Sequence, residues 1–534
     1  MVGILECLST PLLSGLIALA IVLVIGYVLL FWERPGIPPG PPFWPVVGNL
    51  FNMRGKYTGR RHVYLEEMKA KYGPVFRIYL GNQLAVFLND QESIKEAMVD
   101  QKDVFIARPT EKLWGYKMSA VKGSGLGMAN GEDWKAARSL AVQTFHDIGA
   151  ASFEEIIKDE IKDIIAGLSA SGGEAIRIRD AVIKATTSIS GRVAFGSRLD
   201  FSKEIDVHIF NTAQAISKGE GPMSPIHTLP FLRFLPSIAE KVAKTAEDVT
   251  KIREEFCRYI DERKKKSCEH ASRDLIDVFL NKTRTTENYL IDEQNLTRII
   301  LELFAAGFIA NGNVIDWAFL YMIIHPNIQK ECQDEIDKVV GSKRMVSWSD
   351  KPNLPYVEAT LMEAYRLGNN APISMFHMNT KDAYVKGYLI PKESIVIANV
   401  FSCHLDQKTW NDPLTFRPER FLDESGKIKP HPAFMPYMIG PRYCVGETLS
   451  RMQIFLIFSN ILQIFDLSKE IEHRVIVQFA IGIITISIIE LNSWEGFGNY
   501  KPNLKAILDF VKFGPSGNVD WYILLLVMIS LNRS

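Results

Sequence analysis

One cysteine lies where the chain could place a reactive thiolate. Cys444 belongs to the segment YMIGPRYCVG at 437–446, which comes directly before an apolar, helix-like stretch. Backbone N–H groups at the start of a helix stabilise a thiolate, and Gly440 and Gly446 let a flat cofactor approach closely. The guanidinium of Arg442 could pair with a carboxylate of that cofactor. The alternative is that Cys444 is a small buried apolar side chain, which is the usual role of a single cysteine in a loop.

The cysteines as a set indicate neither a disulfide framework nor a zinc site. Zinc sites and disulfide-rich folds have cysteines at short, regular intervals. The six cysteines of this chain are scattered, at positions 7, 257, 268, 332, 403 and 444. This pattern fits a protein in a reducing compartment.

Composition and charge argue against a nucleic-acid-binding surface. The chain has 534 residues, of which 47% are hydrophobic, and its 61 basic and 61 acidic residues give a formal net charge of zero. Binding to phosphate backbones requires an excess of positive charge, so no nucleic acid is expected as a partner. The densest basic run, at 263–266, is either a solvated helix end or a contact for an acidic electron-transfer partner.

An apolar segment near the N-terminus predicts a membrane anchor. Residues 11–32 carry no charge and are long enough to cross a bilayer core of roughly 30 Å. Basic residues follow the segment, beginning at Arg34, which places the rest of the chain in the cytosol. We therefore expect an anchor at 1–33 in contact with membrane lipid, followed by a stiff, proline-rich hinge at 34–45.

Helices and a small sheet must position Cys444. Two β-like runs at 75–80 and 85–88 are separated by a turn signal at Gly81-Asn82, which predicts a hairpin. From 134 to 341 the apolar residues recur mostly with a helical period, with an apolar connection at about 219–236.

One helix of this region is expected to be unusually long. Asp292 can cap its start, and no proline follows until Pro326. Within it, residues 305–313 include three alanines and two glycines, which fill little space. Either a bulky group packs against this face or another helix packs closely against it.

The cysteine segment resembles the heme-binding signature of cytochrome P-450 proteins. It has an aromatic residue, Gly, Arg, Cys and Gly in the family order, with Tyr437 in place of the usual Phe. Further family landmarks follow in order over about residues 35–483: the proline-rich hinge, Trp134 with Arg138, the long helix, Glu363 with Arg366, and Arg420. The resemblance implies a mainly α fold with small β-sheets and a heme-thiolate catalytic domain at 46–483.

The resemblance also implies a cofactor and its contacts. The cofactor is heme b, and the thiolate of Cys444 is the axial ligand of its iron. Positions that contact the heme propionates in relatives are matched by Trp134, Arg138, His377 and Arg442, and the glycines of the heme loop by Gly440 and Gly446. Relatives usually have Arg at the position of Met378, so His377 is expected to be the only donor retained there.

A second set of charged residues is expected to be structural. Glu363 and Arg366 are three residues apart on a predicted helix, which would ordinarily indicate a weak surface ion pair. The resemblance instead implies a buried triad of these two residues with Arg420 behind the heme. Losing one partner of such a buried set costs several kcal/mol.

The long helix departs from the family pattern where dioxygen is activated. The resemblance places the catalytic site beside Ala306, Gly307 and Ala310. Most oxygen-activating relatives have an acid followed by Thr, which deliver protons to dioxygen. Here these positions are Ile309 and Ala310, and neither side chain can relay a proton. Ordered water, or a hydroxyl group of the substrate, could take over this role.

This departure resembles the Spook-type ecdysteroid-making enzymes of arthropods. Their long helix also lacks the Thr and has a Gly-Asn pair like Gly312-Asn313. The resemblance implies a monooxygenase of the endoplasmic reticulum membrane that oxidises a small hydrophobic substrate, here a sterol. Its electrons would come from NADPH through a reductase. Two alternatives stay open: a heme-thiolate isomerase or dehydratase that needs no dioxygen, and a non-catalytic binder of heme or sterol.

Substrate contacts and the end of the chain complete the expectations. The substrate is expected to meet the long helix and residues 112–126, 219–236 and 371–376. Relatives end with a pocket-lining β-hairpin soon after the segment at 475–483. Here residues 484–534 are expected to continue without that ending, as an atypical tail.

Overall fold

A computed structural model describes most of the chain between the hinge and the tail. The described residues are 35–53, 57, 61–110, 112–113, 125–172, 177–218, 225–265, 273–285, 290–469, 477–481, 484–488 and 527–530, with isolated positions between 14 and 26. Most residues of the predicted anchor at 11–32 lie outside the described part, as does most of the tail.

Helices account for most of the described residues. They are α1 (Arg61–Tyr72), α2 (Gln91–Lys95), α3 (Gly131–Ala170), α4 (Ile178–Phe195), α5 (Glu204–Lys218), α6 (Pro225–Thr228), α7 (Pro236–Lys265), α8 (Leu275–Thr285), α9 (Glu293–Ile324), α10 (Pro326–Val339), α11 (Pro355–Gly368), α12 (Val400–His404) and α13 (Glu447–Ile464). Short 3₁₀ turns occur at 50–53, 230–234, 348–353 and 418–421, and a π turn at 96–100. The prediction of a mainly α fold is confirmed.

The strands form one four-stranded sheet and three two-stranded pairs. They are β1 (Val75–Leu80), β2 (Gln83–Leu88), β3 (His377–Met378), β4 (Ala383–Val385), β5 (Tyr388–Ile390), β6 (Ile395–Ala398), β7 (Asp466–Lys469), β8 (Val477–Ile481), β9 (Ile484–Ile488) and β10 (Val527–Ser530). The larger sheet has the order β1-β2-β6-β3. Its β1–β2 hairpin turns at Gly81-Asn82, and Gly81 has a φ of +64°, as a tight turn requires. The hairpin prediction is confirmed.

The long helix α9 forms as its sequence signals indicate. Asp292 caps it by accepting a hydrogen bond from the Asn295 backbone N–H, and the helix ends at Ile324, two residues before Pro326. Among the described residues α9 is the one helix long and apolar enough to cross a membrane, but 61% of its most apolar window is buried inside the protein. It is therefore placed as a core helix.

Two apolar clusters pack against α9. One joins it to α3, α4, α10, α11 and α13, and includes Phe319. The other joins it to α7 and α8, and includes Phe304 and Phe308. These three phenylalanines are fully buried, and each contributes about 1.5–3 kcal/mol relative to an exposed side chain. Packing on both clusters holds α9 in a fixed position, so its remaining accessible residues can line a site.

The predicted buried triad is present. Arg366 donates two hydrogen bonds of 2.7 Å to the carboxylate of Glu363, and Arg420 donates a third of 3.0 Å. Glu363 and Arg366 are wholly buried, and 6% of the Arg420 side chain is exposed. Both guanidinium groups also donate to backbone carbonyls of the segment at 404–415. The triad thus joins α11 to the chain that leads into the segment at 437–446, called the cysteine loop below.

Two expected irregular regions contain regular structure. The predicted connection at 219–236 includes α6 and the 3₁₀ turn at 230–234, while residues 219–224 lie outside the described part. Strands β8 and β9 pair as an antiparallel hairpin, although the sequence from 484 was expected to lack one. Both strands are rich in residues such as Val and Ile that favour extended structure.

Candidate active site

The cysteine loop ends where α13 begins. Gly446 occupies the N-cap of that helix, and the Cys444 backbone N–H donates to the Tyr437 carbonyl at 3.0 Å. Cys444 is an exposed residue, although surrounding protein atoms partly bury its thiol group. This burial raises the pKa of the Cys444 thiol, whereas a hydrogen bond from the Gly446 backbone N–H acts to lower it. A bound metal ion deprotonates such a thiol outright.

The structure gives different physical reasons for glycine at the two positions of the loop, 440 and 446. Gly440 has a φ of +82°, and a Cβ atom there would lie 2.1 Å from the Met98 carbonyl oxygen, so packing against protein requires glycine. A Cβ atom at Gly446 would meet no described atom within 4 Å. The expectation that a glycine leaves room for a flat cofactor therefore fits Gly446, whereas protein packing alone accounts for Gly440.

Arg442 is held on one side and unpaired on the other. Its guanidinium donates to the Ile106 carbonyl at 3.0 Å and the Ala129 carbonyl at 2.8 Å, and stacks on the Trp134 ring at 4.0 Å. The third nitrogen, Nη1, is buried without a hydrogen-bond partner. A buried, unsatisfied N–H donor is costly unless a ligand accepts from it.

Two more arginines surround Arg442. Arg138 donates to the Tyr443 carbonyl at 3.0 Å, and its guanidinium lies 4.5 Å from the Tyr443 ring centre. Arg108 is 4% exposed and donates to three backbone carbonyls at 2.9–3.1 Å. Burial, and then the charges of Arg108 and Arg138, lower the pKa of Arg442 to about 9.

This arrangement of positive charges fits an anionic group. Arg108, Arg138 and Arg442 form an arginine cluster. In the described part of the chain neither Arg138 nor Arg442 forms an ion pair with a carboxylate, so these two side chains bring uncompensated positive charge to a partly buried place. Such a cluster is stabilised by an anion that accepts hydrogen bonds. The propionates of a heme meet both requirements, so the residues present fit that cofactor.

His377 contributes differently from the expectation. Its Nδ1 lies 2.8 Å from the Phe105 carbonyl oxygen, which can only accept, so Nδ1 carries the proton. Burial, followed by the charge of Arg108, holds the pKa of His377 well below its ordinary value. The neutral ring leaves Nε2 as an acceptor, and it can donate to a propionate only after protonation. Arg108 also lies close to Met378, where it donates to the Met375 and Phe376 carbonyls.

Sequence reasoning missed Arg108. Its signal is weak, because it is a lone arginine between Ala107 and Pro109 in an otherwise apolar run. An arginine rarely lies in such a run without a buried partner, which is the clue that could have identified it.

The small residues of α9 serve two purposes. Ala306 is exposed, and Ile309 and Ala310 are partly exposed, on one face of the helix. By contrast, a Cβ atom at Gly307 would lie 2.5 Å from Ser190 Oγ of α4, and one at Gly312 would lie 2.5 Å from an Ile183 carbon. Both open interpretations therefore apply, each to different residues: the glycines admit α4, whereas the alanines leave an accessible face.

The two asparagines of this segment are occupied elsewhere. Asn311 accepts from Ser450 at 2.6 Å and donates to Gln453 at 2.7 Å. Asn313 accepts from Arg179 and donates to Asn370, both at 3.1 Å. Both side chains are at least 95% buried. The accessible face at Ile309 and Ala310 therefore gains no proton-relaying group from them.

A second apolar surface lies among the residues predicted to meet the substrate. In the segment 371–376, Ala371, Ile373 and Met375 are accessible while the residues between them are buried. This alternation is that of an extended chain with one open face. Most of the predicted region at 112–126 lies outside the described residues.

Glu302 of α9 fixes the described end of that region. Its carboxylate accepts hydrogen bonds from the backbone N–H groups of Leu126 at 2.7 Å and Gly127 at 3.0 Å. Arg298 donates to the same carboxylate at 3.0 Å. Sequence reasoning did not identify Glu302, which joins the accessible face of α9 to the chain beside Met375.

Comparisons with known proteins agree with these features. The family described as cytochrome P450 matches residues 38–484. The chain is 30% identical to cytochrome P450 2D15 of Canis lupus familiaris over 81% of this chain and 87% of that protein. It is 32% identical to cytochrome P450 2U1 of Bos taurus, over 85% and 88% of the two chains, and 32% identical to cytochrome P450 2B4 of Oryctolagus cuniculus, over 83% and 91%.

Proposed function

This chain belongs to the cytochrome P450 family and is a heme-containing monooxygenase, and from that premise we propose that it oxidises a small hydrophobic sterol. Two electrons from NADPH, delivered by a reductase, and two protons accompany each dioxygen molecule. One oxygen atom enters the substrate and the other leaves as water. The observation that carries the proposal is the exposed Cys444 close to Arg442, whose Nη1 is buried without a hydrogen-bond partner.

The proposed roles of the loop residues follow from their contacts. Cys444 would hold the heme iron through its sulfur, and the hydrogen bond from its own N–H to the Tyr437 carbonyl would position it. Heme supplies the chemistry of dioxygen activation, which a thiolate ligand favours by donating electron density. Gly446 leaves space beside the ligand, and Gly440 sets the path of the loop against Met98.

The arginine cluster would orient the cofactor through its propionates. Arg442 offers its unpaired Nη1 while two carbonyls and Trp134 fix the rest of the side chain. Arg138 adds a second positive charge from the Tyr443 side. His377 takes a proton when an anion approaches Nε2, because a nearby negative charge raises a histidine pKa.

The accessible faces favour an apolar substrate with its own hydroxyl group. Apolar surface is offered by the accessible face of α9, at Ala306, Ile309 and Ala310. The segment at 371–376 adds Ile373 and Met375. No proton-relaying side chain is contributed by Ile309 or Ala310, so water or a substrate hydroxyl would supply protons. A sterol combines a large apolar body with one such hydroxyl.

The proposed location is the endoplasmic reticulum membrane. Residues 1–33 would anchor the chain, 34–45 would act as the hinge, and 46–483 would form a cytosolic catalytic domain. Residues 484–534 would be an extension of that domain. The uncharged segment at 11–32 and the basic residues after it support this topology.

A labelling experiment tests the proposed reaction. Full-length protein in membranes with a reductase would receive sterols, including 7-dehydrocholesterol, under isotopically labelled dioxygen, with NADPH consumption and product mass followed together. The proposal expects a labelled product that depends on NADPH. Cys444→Ser should abolish both the product and the thiolate-type spectrum of the ferrous carbonyl complex, whereas the matched variant Cys257→Ser should retain them. Persistence of that spectrum in Cys444→Ser would refute the ligand assignment.

The lack of a relay on α9 favours a second candidate, an isomerase or dehydratase of an oxygenated substrate. That enzyme would give an unlabelled product without NADPH in the same assay. A silent binder would give no product from any sterol that it binds. For that case, Ile309→Asp with Ala310→Thr restores the usual acid and Thr, and turnover by this variant would show that the site is catalytically competent.

A further inference from the structure

The hydroxyl group of Tyr437 belongs to a partly buried chain of hydrogen bonds. It lies 2.9 Å from Ser450 Oγ and in contact with the hydroxyl of Tyr365. Ser450 donates to Asn311 Oδ1 at 2.6 Å, and Asn311 donates to Gln453 Oε1 at 2.7 Å. These five side chains join the cysteine loop to α9, α11 and α13.

Donor and acceptor rules give this chain one direction. The single hydroxyl proton of Ser450 points to Asn311, so Ser450 must accept from Tyr437. The proton of Tyr437 is then used, so Tyr437 accepts from Tyr365. Hydrogen bonds that run in one direction polarise and strengthen one another, especially when buried.

Tyr437 is also the point at which the loop holds Cys444. Its carbonyl oxygen accepts from the Cys444 backbone N–H at 3.0 Å. The next residue, Met438, has a φ of +62°, a left-handed conformation that is unfavourable for a residue with a side chain. The loop therefore needs a fixed support at this position.

The hydroxyl contributes separately from the ring. The ring of Tyr437 packs against the first apolar cluster, and the Arg451 guanidinium lies 5.0 Å from its centre. Phe at 437, the usual residue of the resembled signature, would keep these contacts and lose both hydroxyl bonds. The hydroxyl of Tyr365 would then lose its hydrogen bond to Tyr437.

We propose that Tyr437 is a positioning residue, whose hydroxyl ties the Cys444 loop to the long helix through Ser450 and Asn311. The chain of hydrogen bonds fixes the Tyr437 carbonyl and thereby the place of the Cys444 sulfur. This inference rests on the proposed iron ligation by Cys444. It gives Asn311, which does not serve as a proton-relaying group, a role in holding the loop that carries Cys444.

Two spectroscopic properties of the heme-loaded protein test the proposal. Tyr437→Phe should shift the reduction potential of the iron and should speed the conversion of the thiolate-type ferrous carbonyl spectrum to the thiol type by about fivefold, the effect of one lost hydrogen bond. Ser450→Ala should act in the same direction, and Ser450→Thr, which keeps the hydroxyl, should restore the starting values. Tyr356→Phe is the matched control, because its hydroxyl bonds to Glu419 on the surface.

A double-mutant cycle separates positioning from general destabilisation. Because Tyr437 and Ser450 act through one hydrogen bond, Tyr437→Phe combined with Ser450→Ala should change the conversion rate by less than the product of the single effects. Multiplicative effects, or an unchanged potential in Tyr437→Phe, would overturn the proposal. Failure of the ligation itself is distinguishable, because the unsubstituted protein would then lack the thiolate-type spectrum. If Tyr437→Phe fails to fold, the comparison of Ser450→Ala with Ser450→Thr decides the question.

Discussion

The triad and the arginine cluster differ in how fully their charges are paired. In the triad, the Glu363 carboxylate accepts from both Arg366 and Arg420, whose other donors reach backbone carbonyls. In the arginine cluster, Arg442 keeps a buried, unpaired Nη1 and is surrounded by further positive charge. A cluster that is complete in itself stabilises the fold, whereas one that lacks an anion is built for a ligand.

The largest expected effect is the loss of the triad carboxylate. Glu363→Gln would leave two guanidinium groups without their anion in a buried place, at a cost of about 3–5 kcal/mol. The midpoint of urea-induced unfolding should fall steeply, with poor heme content as a result. Glu424→Gln, at an exposed loop position, is the control, and equal stability of the two variants would remove the distinction between the clusters.

Lowering the pH should destabilise the fold around His404, whose backbone carbonyl accepts a hydrogen bond from Arg366 of the triad. The Met435 N–H donates to Nε2 of His404, whose Nδ1 donates to Asn369, so the ring is held neutral. Burial, and then the charges of Arg366 and His431, lower its pKa from about 6.5 to about 3.

The direction of the pH effect follows from this shift. Below about pH 6.5 the unfolded chain binds a proton that the folded protein does not. The free energy of unfolding therefore decreases as the pH is lowered, by up to roughly 1.4 kcal/mol per pH unit, until about pH 3. Unfolding midpoints measured from pH 7 to pH 4.5 should show this slope, and His404→Gln should reduce it. An unchanged slope in the variant would assign the effect to other groups.

Removing a charge from the arginine cluster should affect the cofactor more than the fold. Arg138→Gln loses one charge-assisted contact, which corresponds to about tenfold faster transfer of heme to a scavenging protein. Its unfolding midpoint without heme should change little, because Arg138 leaves no carboxylate unpaired in the described structure. Arg258→Gln, on the exposed face of α7, is the control. A large loss of stability with normal heme retention would show that Arg138 stabilises the fold, as the triad residues do, and does not bind the cofactor.

The smallest effect should come from an exposed ion pair of ordinary geometry. Lys330 and Asp334 are one turn apart on α10, 2.5 Å apart, and about 60% exposed. Lys330→Gln should lower the free energy of unfolding by only about 0.3–0.5 kcal/mol, because water and salt screen the pair. A loss near that of Glu363→Gln would mean that pairing, rather than burial, sets the cost.

Local signals in the sequence predicted several elements correctly. The turn at Gly81-Asn82, the cap at Asp292 and the stop before Pro326 each depend on neighbouring residues, and each appears at the predicted place. The triad was predicted from the resemblance, since the spacing of Glu363 and Arg366 alone suggests only a surface pair.

The sequence was less informative about which way side chains point. Gly307 and Ala306 are adjacent and both small, yet Gly307 admits Ser190 of α4 while Ala306 faces accessible space. Asn311 and Asn313 are polar residues of the same segment, and their side chains bond to α13 and to the chain after α11. Arg108 was not identified at all.

The sequence by itself determined the chemistry that Cys444 could do, because residue type, the flanking glycines and the start of a helix are local properties. Only the tertiary structure decided which polar groups are satisfied. Ser450 and Asn311 are 139 residues apart in the chain, and Arg442 and Ile106 are 336 apart, yet both pairs are hydrogen-bonded. Whether a buried donor has a partner depends on such long-range contacts, so the unpaired Nη1 of Arg442 could be recognised only in the folded chain.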